Sequence, residues 1–247
     1  LELLKFIMAN KPEGMSIVAS GHTSDDLEVQ IKEAKAFIET GIDAYVFISN
    51  RFATAEESDD ILFERMEYVA NALPDVAFGI YECPYPYKRE LTPYILKKMA
   101  QSGKYTFIKD TCCNLDKIKA KLEAVKGSPI KLYNANSATL LESLKLGCHG
   151  FSGVMANFHP DFYSALIKAN EEGNEQRAQA LQNIVGFFSV AECQCYPVNA
   201  KYYLGLDGLN ITYNARTRSA DDMTLSRKLE IEQMYALTKE LEKIYNI

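Results

Sequence analysis

Thr106-Phe107-Ile108-Lys109-Asp110-Thr111 is a short run of strand-forming residues, apolar except for one lysine and one aspartate. A segment of helical period precedes it, Leu91–Gln101, closed by Gly103, and another follows, Asn114–Val125, closed by Gly127. Glycine just past a helix end and Asn, Asp or Ser near its start are stop and start signals. The same unit repeats in both directions. Strands are expected at Met15–Ser20, Ala44–Ser49, Ala77–Glu82, Ile130–Asn134 and Gly150–Val154, and helices at Asp25–Thr40, Asp60–Ala72, Ser137–Leu146 and Pro160–Glu172. Brief, nearly all-apolar strands alternating with helices are the signature of βα units on a parallel sheet buried on both faces. Six such units are complete by residue 173.

Residues 174–247 change character, reading as three helices, Glu175–Val190, Val198–Gly205 and Ala220–Tyr245, with a connector around Asp207–Asn214 and no buried strand. The expected organisation is a βα body over residues 1–173 and a helical cap over 174–247 packed on it, since no low-complexity linker separates them. The 247 residues, 47% hydrophobic and 24% charged, exclude disordered, collagen-like and disulfide-scaffold classes. With 27 Lys plus Arg against 33 Asp plus Glu, the net charge of −6 argues against nucleic acid or an anionic membrane as partner. No apolar run reaches the roughly 18 residues of a membrane span. The six cysteines, at 83, 112, 113, 148, 193 and 195, form no C-x-x-C pair, so free thiols in a reducing cytoplasm are expected. Leu1–Ala9 reads as an amphipathic helix and not a signal peptide, as though the chain begins inside an element.

In parallel α/β folds, reacting groups gather at the carboxyl ends of the strands. Lys109 is the outlier there. Period-2 alternation sends Phe107, Lys109 and Thr111 to one face and Ile108 and Asp110 to the other. Desolvation of a buried lysine favours its neutral, nucleophilic amine, which imine formation with a carbonyl requires. The competing reading is a lysine at a fraying strand end, snorkelling to solvent or paired with Asp110. Tyr81 ends the preceding strand at the same depth and either passes protons beside Lys109 or is a large core residue with one polar handle. Other strand ends offer Arg51, a carboxylate fork or a surface ion pair, together with Asn134, Asn136 and Ser152. The histidines, at 22, 149 and 159, lie in different units, so no metal site is expected.

Tyr81-Glu82-Cys83-Pro84, then Phe107-Ile108-Lys109-Asp110-Thr111, then Gly147-Cys148-His149-Gly150-Phe151-Ser152-Gly153-Val154-Met155-Ala156-Asn157 resemble, in order, the motifs of the dihydrodipicolinate synthase / N-acetylneuraminate lyase family. The 28 positions from Tyr81 to Lys109 match that family's spacing, and the likeness continues through Tyr196-Pro197-Val198-Asn199-Ala200-Lys201. The resemblance implies a TIM (β/α)8 barrel with a C-terminal helical extension, of which residues 1–173 supply units 3–8, the first two strands being absent from this chain. It implies a class I, metal-independent, cofactor-free Schiff-base lyase or synthase of aldolase type, acting on pyruvate or another 2-oxo acid and an aldehyde. Lys109 matches the imine-forming lysine and Tyr81 the proton-shuttling tyrosine. A cytoplasmic homo-oligomer, a dimer or tetramer, is implied as well.

There are departures. Pro86 stands where members making lysine precursors carry an arginine for the aldehyde's carboxylate. Lys88 and Arg89 follow, as substitutes or as a charged surface. Phe52 is the nearest aromatic to a family tyrosine and lacks the hydroxyl, which puts a relay through that group in doubt. Asn134 and Asn136 replace a Gly-Asp pair and either bind substrate hydroxyls or form a turn. A carboxylate-binding Thr-Thr pair is expected before residue 1. These departures leave a second reading, a binding protein for 2-oxo acids or sugar acids that has lost turnover on the same scaffold.

Overall fold

Strand formation follows the apolar runs, and helix starts follow the caps. The computed structural model describes residues Leu1–Ile247. In chain order its elements are α1 (Glu2–Asn10), β1 (Val18–Ala19), α2 (Leu27–Ile38), β2 (Ala44–Ile48), α3 (Asp59–Asn71), β3 (Ala77–Tyr81), α4 (Pro93–Ser102), β4 (Tyr105–Asp110), α5 (Leu115–Ala124), β5 (Lys131–Asn134), α6 (Leu140–Leu146), β6 (Gly150–Phe151), α7 (Pro160–Glu171), α8 (Glu175–Phe188), α9 (Glu192–Cys195), α10 (Val198–Leu206) and α11 (Leu225–Tyr245). Side chains of Asp26, Ser58, Thr92 and Asn114 accept from backbone N–H groups in the first turns of α2, α3, α4 and α5. Gly103 closes α4 in the left-handed conformation, φ 70°.

The chain forms two compact units, Leu1–Asn134 with Leu146–His149, and Ala135–Lys145 with Gly150–Ile247. In the first, β1 to β5 pair in parallel and in chain order. One face of this sheet packs Tyr45, Phe47, Phe78, Ile80, Tyr105, Ile108 and Leu132 into a core with Leu62, Met66, Leu96 and Ile118 of the helices. Each such buried side chain contributes roughly 1.5–3 kcal/mol of transfer free energy. β1 is shorter than the sequence predicts: only Val18 and Ala19 pair, with Ala44 and Tyr45, and Val18 is exposed.

The second unit is helical apart from β6. Leu140, Leu141 and Leu144 of α6 and Phe162 and Leu166 of α7 share one core with Leu181 and Val185 of α8, Tyr203 of α10 and Ile231 of α11. Buried Gln182 of α8 reinforces it, accepting from Leu141 N–H at 2.8 Å and donating to Ser137 carbonyl at 2.9 Å. These contacts account for the division between the two compact units after Asn134. Elements α6 and α7 carry βα periodicity, but their apolar stripes are buried with the C-terminal helices. The segment read as one helix from Ala220 begins as α11 only at Leu225, because Ser219 caps a separate 3-10 turn and Thr224 caps the helix. The short α9 was not expected from the sequence. No helix is long and apolar enough to cross a membrane.

Candidate active site

The carboxyl ends of β2 to β5 meet in one row, Ile48, Tyr81, Lys109 and Tyr133, register partners across successive strands. Residues of one row in a parallel ladder share a face, so these side chains stand opposite the helix-packed core. Lys109 Nζ lies 4.4 Å from the centroid of the Tyr81 ring. One row deeper, Phe107 packs against Tyr133 with ring centroids 5.0 Å apart.

An irregularity in β4 creates this pairing. Phe78 pairs with Tyr105, but Gly79 pairs with Phe107, so Thr106 is an extra residue in the ladder. Were Thr106 paired in regular register with Gly79 instead of being skipped, Lys109 would fall in the row of Glu82 and on the helix face. With Thr106 skipped, Lys109 stands beside Tyr81, as a bulge re-aims the side chains beyond it. Gly79 allows the close approach, since a Cβ there would lie 2.8 Å from Phe107 Cδ1 and 3.1 Å from its carbonyl oxygen.

Behind the row is a fully buried ionic cluster. Lys121 of α5 donates to Glu82 Oε1 at 2.5 Å and to Asp110 Oδ2 at 2.6 Å. Asp110 therefore bonds to Lys121 on the face opposite Lys109. Burial pushes the Glu82 carboxyl above its ordinary pKa, assisted by the Asp110 charge and opposed by Lys121. Burial pulls the Lys121 ammonium down, but the two carboxylates outweigh it and hold its pKa above the ordinary value. The sequence reading missed Lys121, although a signal existed: it falls three residues after buried Ile118, on the apolar stripe of its helix.

The remaining expected site residues are dispersed. Arg51 follows β2 in a 3-10 turn, donates to Asp25 at 3.1 Å and lines a pocket of about 250 Å³ with Pro86, Tyr87 and Arg65; neither Lys109 nor Tyr81 lines it. Phe52 is buried, its ring 4.7 Å from that of His22 and 5.2 Å from that of Phe47, in the core on the helix side. Asn134, also buried, pairs in register with Asp110 and so lies on the face opposite Lys109, which Tyr133 faces. Lys88 donates to Thr111 carbonyl at 2.6 Å, and Arg89 to Asp59 at 2.9 Å. Asn136 and Ser152 belong to the second unit. There Asn136 Oδ1 accepts from Ala138 N–H at 2.9 Å as the cap of a turn. Ser152 precedes Gly153, where a Cβ would lie 2.4 Å from Ala135 carbonyl oxygen.

A second residue unmarked in the sequence is Asn50. Buried beside Arg51, it donates through Nδ2 to the carbonyls of Cys83, Tyr85 and Tyr87 at 2.9, 2.7 and 2.6 Å, tying the loop after β3 to that after β2. The Tyr87 hydroxyl returns the tie, donating to Asn50 and Ala53 carbonyls at 2.9 Å each.

An amine and a phenol side by side at adjacent strand ends have a definite chemical capacity. The amine can condense with a carbonyl group, and the phenol can give and take the protons that condensation moves.

Three comparisons bear on this arrangement. A sequence profile of the dihydrodipicolinate synthetase family matches residues 9–240. The 4-hydroxy-tetrahydrodipicolinate synthase of Methanococcoides burtonii is 24% identical over 194 residues, which cover 78% of this chain and 66% of that protein's length. Among solved structures, the chain is similar to YagE, a prophage protein of the dihydrodipicolinic acid synthase family from E. coli K12 in complex with pyruvate, with TM-score 0.85, 19% identity and coverage of 96% of this chain and 80% of that one. It is also similar to the chloride-inhibited dihydrodipicolinate synthase of Acinetobacter baumannii complexed with pyruvate, with TM-score 0.82, 20% identity and coverage of 94% and 78%. The fold is thus that of these TIM-barrel proteins.

Proposed function

The chain belongs to the dihydrodipicolinate synthetase family, and from that premise we propose that it is a class I Schiff-base lyase or synthase of aldolase type, acting on pyruvate or another 2-oxo acid through Lys109. The observation that carries this reading is the placement of Lys109 Nζ 4.4 Å from the Tyr81 ring on one face of neighbouring strand ends. The pyruvate complexes of two structural neighbours support the choice of substrate.

In this mechanism the neutral Lys109 amine attacks the keto carbon, forming a C–N bond and moving the carbonyl π electrons to oxygen. Tyr81 supplies the proton that makes the carbinolamine hydroxyl and assists its departure as water. The resulting protonated imine draws electrons from the adjacent carbon. In the synthetic direction that carbon loses a proton, becomes an enamine and attacks the aldehyde. In the lytic direction the C–C bond breaks into the same enamine. Hydrolysis returns the amine.

Each step uses groups of the chain and the substrates alone, so turnover is expected to persist in EDTA. Arg51, a guanidinium able to fork a carboxylate, is the proposed contact for an anionic group at the pocket it lines with Pro86 and Tyr87. Asn136, Asn134 and Phe52 are weaker candidates, the first occupied as a cap and the other two facing the core. A cytoplasmic dimer or tetramer, the arrangement the resemblance implies, belongs to the same proposal.

The test is pyruvate consumption or release measured against a panel of aldehydes and their aldol products, for the wild type and Lys109→Ala. Turnover in the wild type that Lys109→Ala abolishes is expected. Tight, reversible 2-oxo-acid binding without turnover on any pair would favour the binding protein.

A further inference from the structure

Glu82 and Asp110 directly follow Tyr81 and Lys109, and Tyr81–Lys109 is the last paired row of the β3–β4 ladder. Strand ends open most readily where pairing stops. Here the ends are closed by a bonded cluster with no solvent access: Glu82 and Asp110 are 0% exposed and Lys121 is 2% exposed.

Every carboxylate oxygen in the cluster has a donor. Glu82 Oε1 accepts from Lys121 Nζ and from Leu91 N–H at 2.7 Å, and Oε2 accepts from Thr111 N–H at 3.0 Å. Asp110 Oδ2 accepts from Lys121 Nζ, and Oδ1 accepts from Cys112 N–H at 3.1 Å. Thr111 adds a crossing bond, its hydroxyl donating to Glu82 carbonyl at 2.6 Å, and Glu82 N–H donates to Lys109 carbonyl at 3.2 Å. One ammonium from α5 thus ties the residue after Tyr81 to the residue after Lys109.

Stability alone does not account for such a cluster. A well-packed apolar trio of similar volume is commonly as stable as a buried ion cluster, because the desolvation of three charges offsets their attraction. What the cluster adds is a fixed register between two strand ends that carry an amine and a phenol.

We propose that Lys121 is a positioning residue, holding the ends of β3 and β4 so that Lys109 and Tyr81 stay in one row for imine formation. It touches no substrate and acts through the backbone that it clamps. This inference rests on the Schiff-base reading of Lys109.

The experiment compares the wild type, Lys121→Met and Asp110→Asn by cyanoborohydride trapping with pyruvate. Lys109 Nζ bonds to the keto carbon, water leaves, and hydride from the reagent reduces the imine to a stable secondary amine. The maximal labelling rate and the half-saturating pyruvate concentration are read separately, with thermal unfolding recorded in parallel. Misplacing a reacting group by about 1 Å lowers rate by up to about 100-fold, so Lys121→Met is expected to cut the maximal labelling rate roughly 10-fold or more, with half-saturation unchanged within about twofold.

Asp110→Asn keeps the Lys121–Glu82 ion pair and weakens only the tether to β4. It is expected to lower the maximal rate by about threefold or more, and it decides the matter alone if Lys121→Met does not fold. A purely structural role would lower the unfolding temperature and leave the rate per folded molecule unchanged. That result, or a change confined to half-saturation, overturns the inference. Absence of labelling in the wild type refutes the Schiff-base reading and this inference together.

Discussion

His159 permits a quantitative prediction, that the second unit loses stability on acidification through one imidazole. Its side chain is 3% exposed and neither ring nitrogen has a hydrogen-bond partner. Its neighbours are aromatic: Tyr163 stacks at 5.8 Å and 5°, with Phe188 at 5.3 Å and Phe162 at 5.8 Å. Burial lowers its pKa from 6.5 to about 4. The folded state therefore favours the neutral ring, and below pH 6.5 the unfolded chain takes up the proton first. The stabilisation is fully present above that pH and is lost as pH falls through about 4. Linkage puts the loss between pH 7 and pH 5 at about 2 kcal/mol, rising to about 3 kcal/mol below pH 4. His159→Phe should remove this dependence. At pH 7 it should match or exceed the wild type, because no bonded polar atom is lost. The assay is urea unfolding followed by circular dichroism at both pH values, since the chain has no tryptophan. His22, also lowered to about 4 by burial, titrates in both proteins and cancels in the comparison. Equal pH dependence in His159→Phe and wild type, within about 0.5 kcal/mol, would refute the reasoning.

Further outcomes follow from the site. Tyr81→Phe should slow turnover by orders of magnitude while imine labelling at Lys109 persists; full turnover would remove the proton-transfer role. Gly79→Ala should lose about 1–3 kcal/mol of stability in a thermal melt, because its Cβ meets Phe107 at 2.8 Å, and unchanged stability would mean the ladder there yields freely. Asn50→Ala removes the donor shared by three carbonyls and should lose about 1–3 kcal/mol, with faster proteolysis in the loop after β3.

The βα alternation was legible because both periodicities are strong: buried strands are apolar runs, and glycine or a cap marks each helix. The adjacency of Lys109 and Tyr81 was legible from two strands ending at the same depth, whereas the imine and proton-transfer roles proposed for them came from the family resemblance. The faces of other site residues were not legible. Asn134 sits beside Tyr133, and only the paired register shows which of the two shares a row with Lys109. The skipping of Thr106 by the ladder likewise leaves no trace in the strand's composition, yet it determines that Lys109 meets Tyr81 and not Glu82. Lys121 was hidden because a lysine on a helix reads as solvated, and its two carboxylates come from strands distant in sequence. The division after Asn134 depends on which core receives the apolar stripes of α6 and α7, which periodicity does not specify.

The central claim is that Lys109 is an imine-forming lysine. Borohydride reduction in the presence of pyruvate, followed by intact mass and peptide mapping, tests it most directly. One adduct per chain, located at Lys109 and absent from Lys109→Ala, is the expected result. An adduct at another lysine, or none with pyruvate, glyoxylate or sugar-derived 2-oxo acids, would contradict the account.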